Sequence, residues 1–196
     1  MPEDTQLSDS DGVFLVKTAR MAVTEFLSND KRMKLESEDE KKFSFNAGVF
    51  VTLNNADGLR GCIGFPMPDK KLSHGIIDAA IAAATEDPRF SPVKINELNE
   101  IVFEITVLTP PVEITVTDPV EYLEKIKVGR DGLIIRNSFS SGLLLPQVPV
   151  EYGWNVEEFL QHTCEKAGLE KDAWKNEKVK IEKFEGIVYK EKTDGN

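Results

Sequence analysis

Arg60 and Cys62 stand two residues apart in LRGCIGFP (59–66), with Gly61 between them and Gly64 just beyond. A cysteine acts as a nucleophile through its thiolate, and a nearby cation favours that form. On a strand, residues i and i+2 share a face, with Cβ atoms about 6.5–7 Å apart. A guanidinium can fold back over that gap. Gly61 and Gly64 leave room for a ligand or a backbone to come close. A cysteine-centred catalytic site, Cys62 with Arg60 beside it, is therefore the leading chemical expectation. The plainer reading is a packed structural cysteine, since free cysteine is among the most buried residue types. A catalytic thiol also needs a general base such as His. Sequence alone brings neither His74 nor His162 to Cys62.

Arg89, in DPRFSPV (87–93), is the second cation of interest. Together Arg60 and Arg89 could grip a carboxylate or phosphate. The competing reading pairs Arg89 with Asp87 to tie down the end of a helix. Gln147 and Glu151 follow the apolar GLLLP and are expected at the rim of a pocket around Cys62. The alternative there is a core strand ended by Pro146. The ligand-binding set is then Gly61, Gly64, Arg89, Gln147 and Glu151. His162 and Cys164 resemble a metal pair, but i and i+2 on a helix point about 200° apart. No metal site is expected, and P-loop, GxGxxG, HExxH and CxxC motifs are absent. The cofactor is left unknown.

The elements that must position these residues follow from periodicity. Apolar residues at helical spacing predict a helix over about 11–28. Phe43, Phe45, Ala47, Val49, Val51 and Leu53 alternate, as do Leu59, Gly61, Ile63 and Phe65. NNADG (54–58) between them is turn chemistry. The expectation is a hairpin over 43–65, with Arg60, Cys62 and Gly64 on the face opposite Leu59 and Ile63. An alanine-rich helix over 73–87 stops at Pro88, and KLESEDEKK (34–42) reads as a solvated face or loop. A strand follows over 101–108, resuming over 112–116, and a short helix starts at Asp118-Pro119. Two strands flank the Ser/Gly turn of 131–146. A helix over 155–167 carries an Asn155/Glu158 capping box and Gly168 past its end. A short helix near Ala173 and strands over 179–189 close the chain. Strands and helices do not alternate strictly, so the fold class is α+β, a largely antiparallel sheet flanked by helices with a smaller subdomain.

Composition bounds the partners. The 196 residues carry a net charge of −10 and 40% hydrophobic residues. That fits one compact domain with a sizeable core. The acidic balance does not suit nucleic acid, and no run is long enough to span a bilayer. Two distant cysteines suit a reducing cytoplasm and no disulfide framework.

LRGCIG (59–64), DPRFSPV (87–93), DGLII (131–135), GLLLPQVPVEYGW (142–154) and FLQHTCEKAGL (159–169) occur in the order found in the AMMECR domain family. The chain resembles that family from about residue 12 to 189, with 1–11 and 190–196 as flexible termini. The family takes its name from a human chromosomal region linked to Alport syndrome with elliptocytosis. Asn155, where the family often has Asp, and NSFSS before GLLLPQV are small departures. The resemblance implies a two-part α+β domain of unestablished biochemical function, for which the cysteine motif has suggested an enzyme. It also implies association with Memo-like and radical-SAM proteins. The alternative to an enzyme is a binding or adaptor module that receives a small acid or a partner protein through the same cleft.

Overall fold

The computed structural model describes residues 7–192. It is α+β, with largely antiparallel strand pairing, and it divides into two compact units. Among the described residues, no helix is long and apolar enough to cross a membrane.

Among the described residues, the first unit comprises 7–108 and 187–192. It opens with α1 (Asp9–Asn29), whose N-cap Ser8 forms a capping box with Asp11. The helix thus begins inside the segment expected to be a flexible terminus. In the other expected tail, Glu191 binds the Arg20 guanidinium through its carboxylate at 2.5 and 2.6 Å. Residues 1–6 and 193–196 lie outside the described range. A short helix, α2 (Ser37–Lys42), forms in the charged run expected to be a solvated face or loop, and buries none of its side chains.

β1 (Val49–Asn55) and β2 (Gly58–Phe65) make the hairpin, and β3 (Val102–Leu108) pairs with the other edge of β1. The first strand is shorter than its alternation implies. Residues 43–47 instead serve α3 (Leu72–Thr85): the carbonyls of Phe43 and Phe45 accept the N–H groups of Ser73 and Leu72 at 2.9 Å. Those N–H groups open a helix and have no partner within it. The alternation is real, but the segment caps a helix rather than joining the sheet. α1 and α3 cover the inner face of the three strands. Leu15, Ala19, Ile76, Ala80, Val51, Phe103 and Ile105 form this core, all essentially inaccessible.

The second unit spans residues 109–186. It contains β4 (Val112–Glu113), α4 (Tyr122–Lys125), β5 (Asp131–Arg136), β6 (Ser141–Leu144), α5 (Gln147–Tyr152), α6 (Val156–Lys166) and most of β7 (Lys180–Lys190), which passes into the first unit at residue 187. β7 lies between β4 and β5, and β6 pairs with β5. The strand expected over 112–116 ends at Glu113. Leu133, Ile135, Phe159, Leu160 and Ile181 fill this unit's core. The Asn155/Glu158 capping box starts α6 as its sequence requires.

Candidate functional site

β2 is an edge strand, paired with β1. Register places Gly61 opposite Leu53 and Ile63 opposite Val51, on the face that packs against the helices. Cys62 lies opposite Thr52 on the other face, as the two-residue period requires. The Thr52 hydroxyl donates to Cys62 Sγ at 3.3 Å, and the thiol is half-buried. Glu104 sits beyond Thr52 in the same cross-strand row.

The space opened by the two glycines is filled by the protein itself. A Cβ on Gly61 would come 2.2 Å from the Ala83 carbonyl oxygen. Helix α3 therefore rests its backbone directly on β2, which its alanine-rich surface also permits. A Cβ on Gly64 would meet the Phe50 ring at 2.3 Å.

The loop after α3 runs along the free edge of β2. Asp87 accepts the Cys62 backbone N–H at 2.8 Å. The Arg89 Nη2 donates to the Cys62 carbonyl at 3.4 Å. Arg89 also grips Asp87 through Nε and Nη2 at 3.0 and 2.7 Å. A carboxylate and a guanidinium thus take the two backbone positions that a neighbouring strand would occupy, which blunts an otherwise open edge. The guanidinium of Arg89 and the N–H of Cys62 hold the Asp87 carboxyl well below the usual carboxylate range, against the opposing effect of burial. Farther along, Arg60 donates through Nε to Glu97 at 2.9 Å and through Nη1 to the Ser91 carbonyl at 3.0 Å. The Arg60 hydrogen bond in turn lowers the pKa of Glu97.

The structure therefore gathers Arg60, Gly61, Cys62, Gly64 and Arg89 on β2 and its flanking loop. It gives each arginine its own carboxylate. His74, on α3, faces Glu40 at 3.3 Å with an exposed ring. Asp87 as acceptor for Cys62 and Glu97 as acceptor for Arg60 are contacts that sequence reasoning missed. The legible signal was an acid two residues before Arg89, at the end of a helix.

Gln147 and Glu151 belong to the second unit. They lie on α5, which follows β6 (Ser141–Leu144), the strand ending just before Pro146 that the alternative reading expected. Pro149 is accommodated in the first turn of α5, where its missing N–H costs nothing. In that unit the rings of Trp154 and His162 stack at 3.9 Å, and Tyr152 stacks on Trp154 at 4.9 Å. His162 is half-buried and bonds Glu165, whereas Cys164 is buried, its thiol pushed up to about 11 by burial. Among the described residues, no group of three or more His, Cys, Asp or Glu side chains could hold a metal.

The comparisons with known proteins bear on the same motifs. The AMMECR1 family model matches residues 16–189. The chain belongs to the AMMECR1 family. It is 51% identical over 187 residues to Protein MJ0810 of Methanocaldococcus jannaschii, covering 94% of this chain and 92% of that one. It is 47% identical over 191 residues to Protein PYRAB00100 of Pyrococcus abyssi, covering 95% and 93%. The crystal structure of the uncharacterized protein PH0010 from Pyrococcus horikoshii superposes with a TM-score of 0.78 at 48% identity, covering 95% of this chain and 94% of that one. LRGCIG and DPRF are, in this chain, the two sides of one edge cap.

Proposed function

We propose that this AMMECR1 chain is a non-catalytic binding module that meets a partner protein through the sheet face bearing Cys62, rather than a thiol enzyme. The observation that carries this reading is the commitment of Arg60 to Glu97 and the Ser91 carbonyl. A cation already neutralised by a carboxylate does little to favour a thiolate. The hydrogen-bond partner of the thiol is a hydroxyl, not a base. Arg89 is similarly bound to Asp87, so a small acidic ligand would have to displace an internal carboxylate from either arginine. A protein surface needs no such exchange. Phe50, Thr52, Cys62, Glu104 and Thr106 share the outer face by register, and all are partly accessible. The family resemblance supplies Memo-like and radical-SAM proteins as partner classes. Two free cysteines fit a reducing cytoplasm.

The test is alkylation by iodoacetamide across pH, with Cys62 and Cys164 resolved by peptide mass spectrometry in wild type and Arg60→Ala. The binding reading expects Arg60→Ala to leave the pH profile of Cys62 in place. A shift of that profile to higher pH in Arg60→Ala would show that Arg60 activates the thiol, and would restore the enzyme reading.

A further inference from the structure

β2 and β6 are both terminal strands, and they are finished differently. At β2, Asp87 and Arg89 occupy the open backbone positions. β6, in the second unit, has β5 as its strand neighbour. Their hairpin closes with the Asn137 N–H donating to the Ser140 carbonyl at 3.0 Å. Antiparallel ladders alternate bonded and non-bonded pairs. Counting from that closure, Ile135–Gly142 and Leu133–Leu144 exchange hydrogen bonds, while Ser141 and Leu143 turn their N–H and C=O groups away from β5. Ile134, opposite Leu143, agrees with this count, because its other side pairs with Glu182 of β7. Among the described residues, no backbone group meets Ser141 or Leu143 on the outer side.

Natural edges are kept from pairing chiefly by charged side chains, lysine above all. Here that protection is missing. Residues 137–150 include no Asp, Glu, Lys or Arg, in a chain that is 30% charged. The same run exposes apolar side chains at both ends. Phe139, at the hairpin tip, is 97% exposed, and Val150, on α5, is 58% exposed. The tip is held in shape, since Asn137 Oδ1 accepts the N–H groups of Phe139 and Ser140 at 2.8 and 2.9 Å.

We infer that two copies of this chain pair their β6 edges, antiparallel about a twofold axis at Leu143. The outward N–H and C=O groups of one edge are the complement of those on the other. Gly142 excludes an axis at its own position. The end of α6 rests on it, so that a Cβ there would lie 2.3 Å from the Ala167 nitrogen. An axis at Gly142 would drive two such helix ends together. An axis at Leu143 instead sets Gly142 against Leu144 of the second copy, and Ser141 against its Leu145. Beyond the strands, Phe139 of each copy then comes to the start of α5 in the other, so the apolar ends of the uncharged run cover one another. Charge favours this occupant too. The chain carries −10, so two copies repel wherever their acidic surfaces meet, and an uncharged edge is where they approach with least repulsion. A short edge buries less than a standard interface, and the dimer is accordingly weak, with a Kd of about 10–100 µM.

The test is sedimentation equilibrium of the full chain, run from about 5 to 500 µM to bracket a Kd of that size. A monomer–dimer equilibrium is expected, tightening between about 0.1 and 0.5 M NaCl as the net charge is screened. Leu143→Pro deletes one outward N–H, leaves the β5 ladder intact, and is expected to weaken the dimer about tenfold. Leu143→Lys sets like charges against each other across the axis, whereas Ser141→Lys faces Leu145. Leu143→Lys is therefore expected to weaken the dimer about tenfold at low salt, and Ser141→Lys clearly less. Circular dichroism and urea midpoints check that each variant is folded, and if Leu143→Pro is not, the two lysine variants carry the test. The inference is overturned if the chain stays monomeric throughout, which would leave the edge to an extended segment of another protein. It is equally overturned if a dimer forms whose affinity Leu143→Lys does not change. Equal weakening by Leu143→Lys and Ser141→Lys would overturn the axis at Leu143.

Discussion

Replacing Asp87 by Asn or Ala removes the carboxylate that closes the edge of β2. The carboxylate takes four hydrogen bonds: from the Cys62 N–H at 2.8 Å, the Arg89 N–H at 3.1 Å, and Arg89 Nε and Nη2 at 3.0 and 2.7 Å. Asp87 is 5% exposed, so water does not easily replace what is lost. The Arg89 side chain is 54% exposed and can turn to solvent, which leaves no buried charge behind. The loss is therefore that of a charge-assisted bond to a backbone donor, about 1.5–3 kcal/mol. Asn keeps one oxygen, but its amide must then face either the Cys62 N–H or the guanidinium, donor against donor. Asn and Ala are expected to cost similar amounts. The pH dependence adds a second criterion. The folded-state pKa of Asp87 is lowered, so its stabilisation is present above the unfolded value of about 3.9. It is lost as pH falls from there toward the folded value. Urea midpoints measured at pH 7 and at successive points below pH 4 should show the wild type converging on Asp87→Asn as the pH drops. A variant as stable as wild type at pH 7, or a gap that stays constant into acid, would refute the edge-cap reasoning.

Gly61→Ala should destabilise the chain by about 1–3 kcal/mol, because its Cβ would lie 2.2 Å from the Ala83 oxygen and a backbone atom must give way. A thermal or urea midpoint equal to wild type would place α3 farther from β2. Cys62→Ser should be nearly neutral, its hydroxyl meeting Thr52, while Cys62→Ala should cost about 1 kcal/mol; Ser much worse than Ala in urea would mean a dry, apolar site.

The sequence made some of this legible and concealed the rest for identifiable reasons. The period-two pattern of β2 placed Cys62 opposite Ile63 correctly, because one face of that strand is buried and register is then strongly specified. The same pattern overran into 43–47, since alternation reports which side chains are covered and not where the carbonyls go. In this segment Phe43 and Phe45 give theirs to α3. α2 was missed because its charged run buries nothing and has no apolar stripe to show a helical period. α5 was missed because Pro149 reads as a breaker, although within the first turn it is tolerated. The pairing of Arg89 with Asp87 was one of two open readings. That Asp87 also accepts from Cys62 could not be read, because it depends on where α3 ends relative to β2.

That dependence explains why the glycine and the aspartate belong to one arrangement. With no Cβ at Gly61, the backbone of α3 sits against β2 at Ala83. The helix ends at Thr85, and Pro88 prevents its continuation. Asp87 therefore falls beside the residue next to Gly61, within reach of the Cys62 N–H. Arg89, two residues farther, folds back onto the same carboxylate, and Arg60 reaches Glu97 in the 3-10 helix that follows, Ile95–Glu100. Each contact is a geometric consequence of the one before it, starting from a single close approach. A cluster of arginines, glycines and a cysteine can thus be required by the closing of a sheet edge alone. Its presence in LRGCIG is not by itself a signature of thiol chemistry, which has to be sought in what Arg60 does to the reactivity of Cys62.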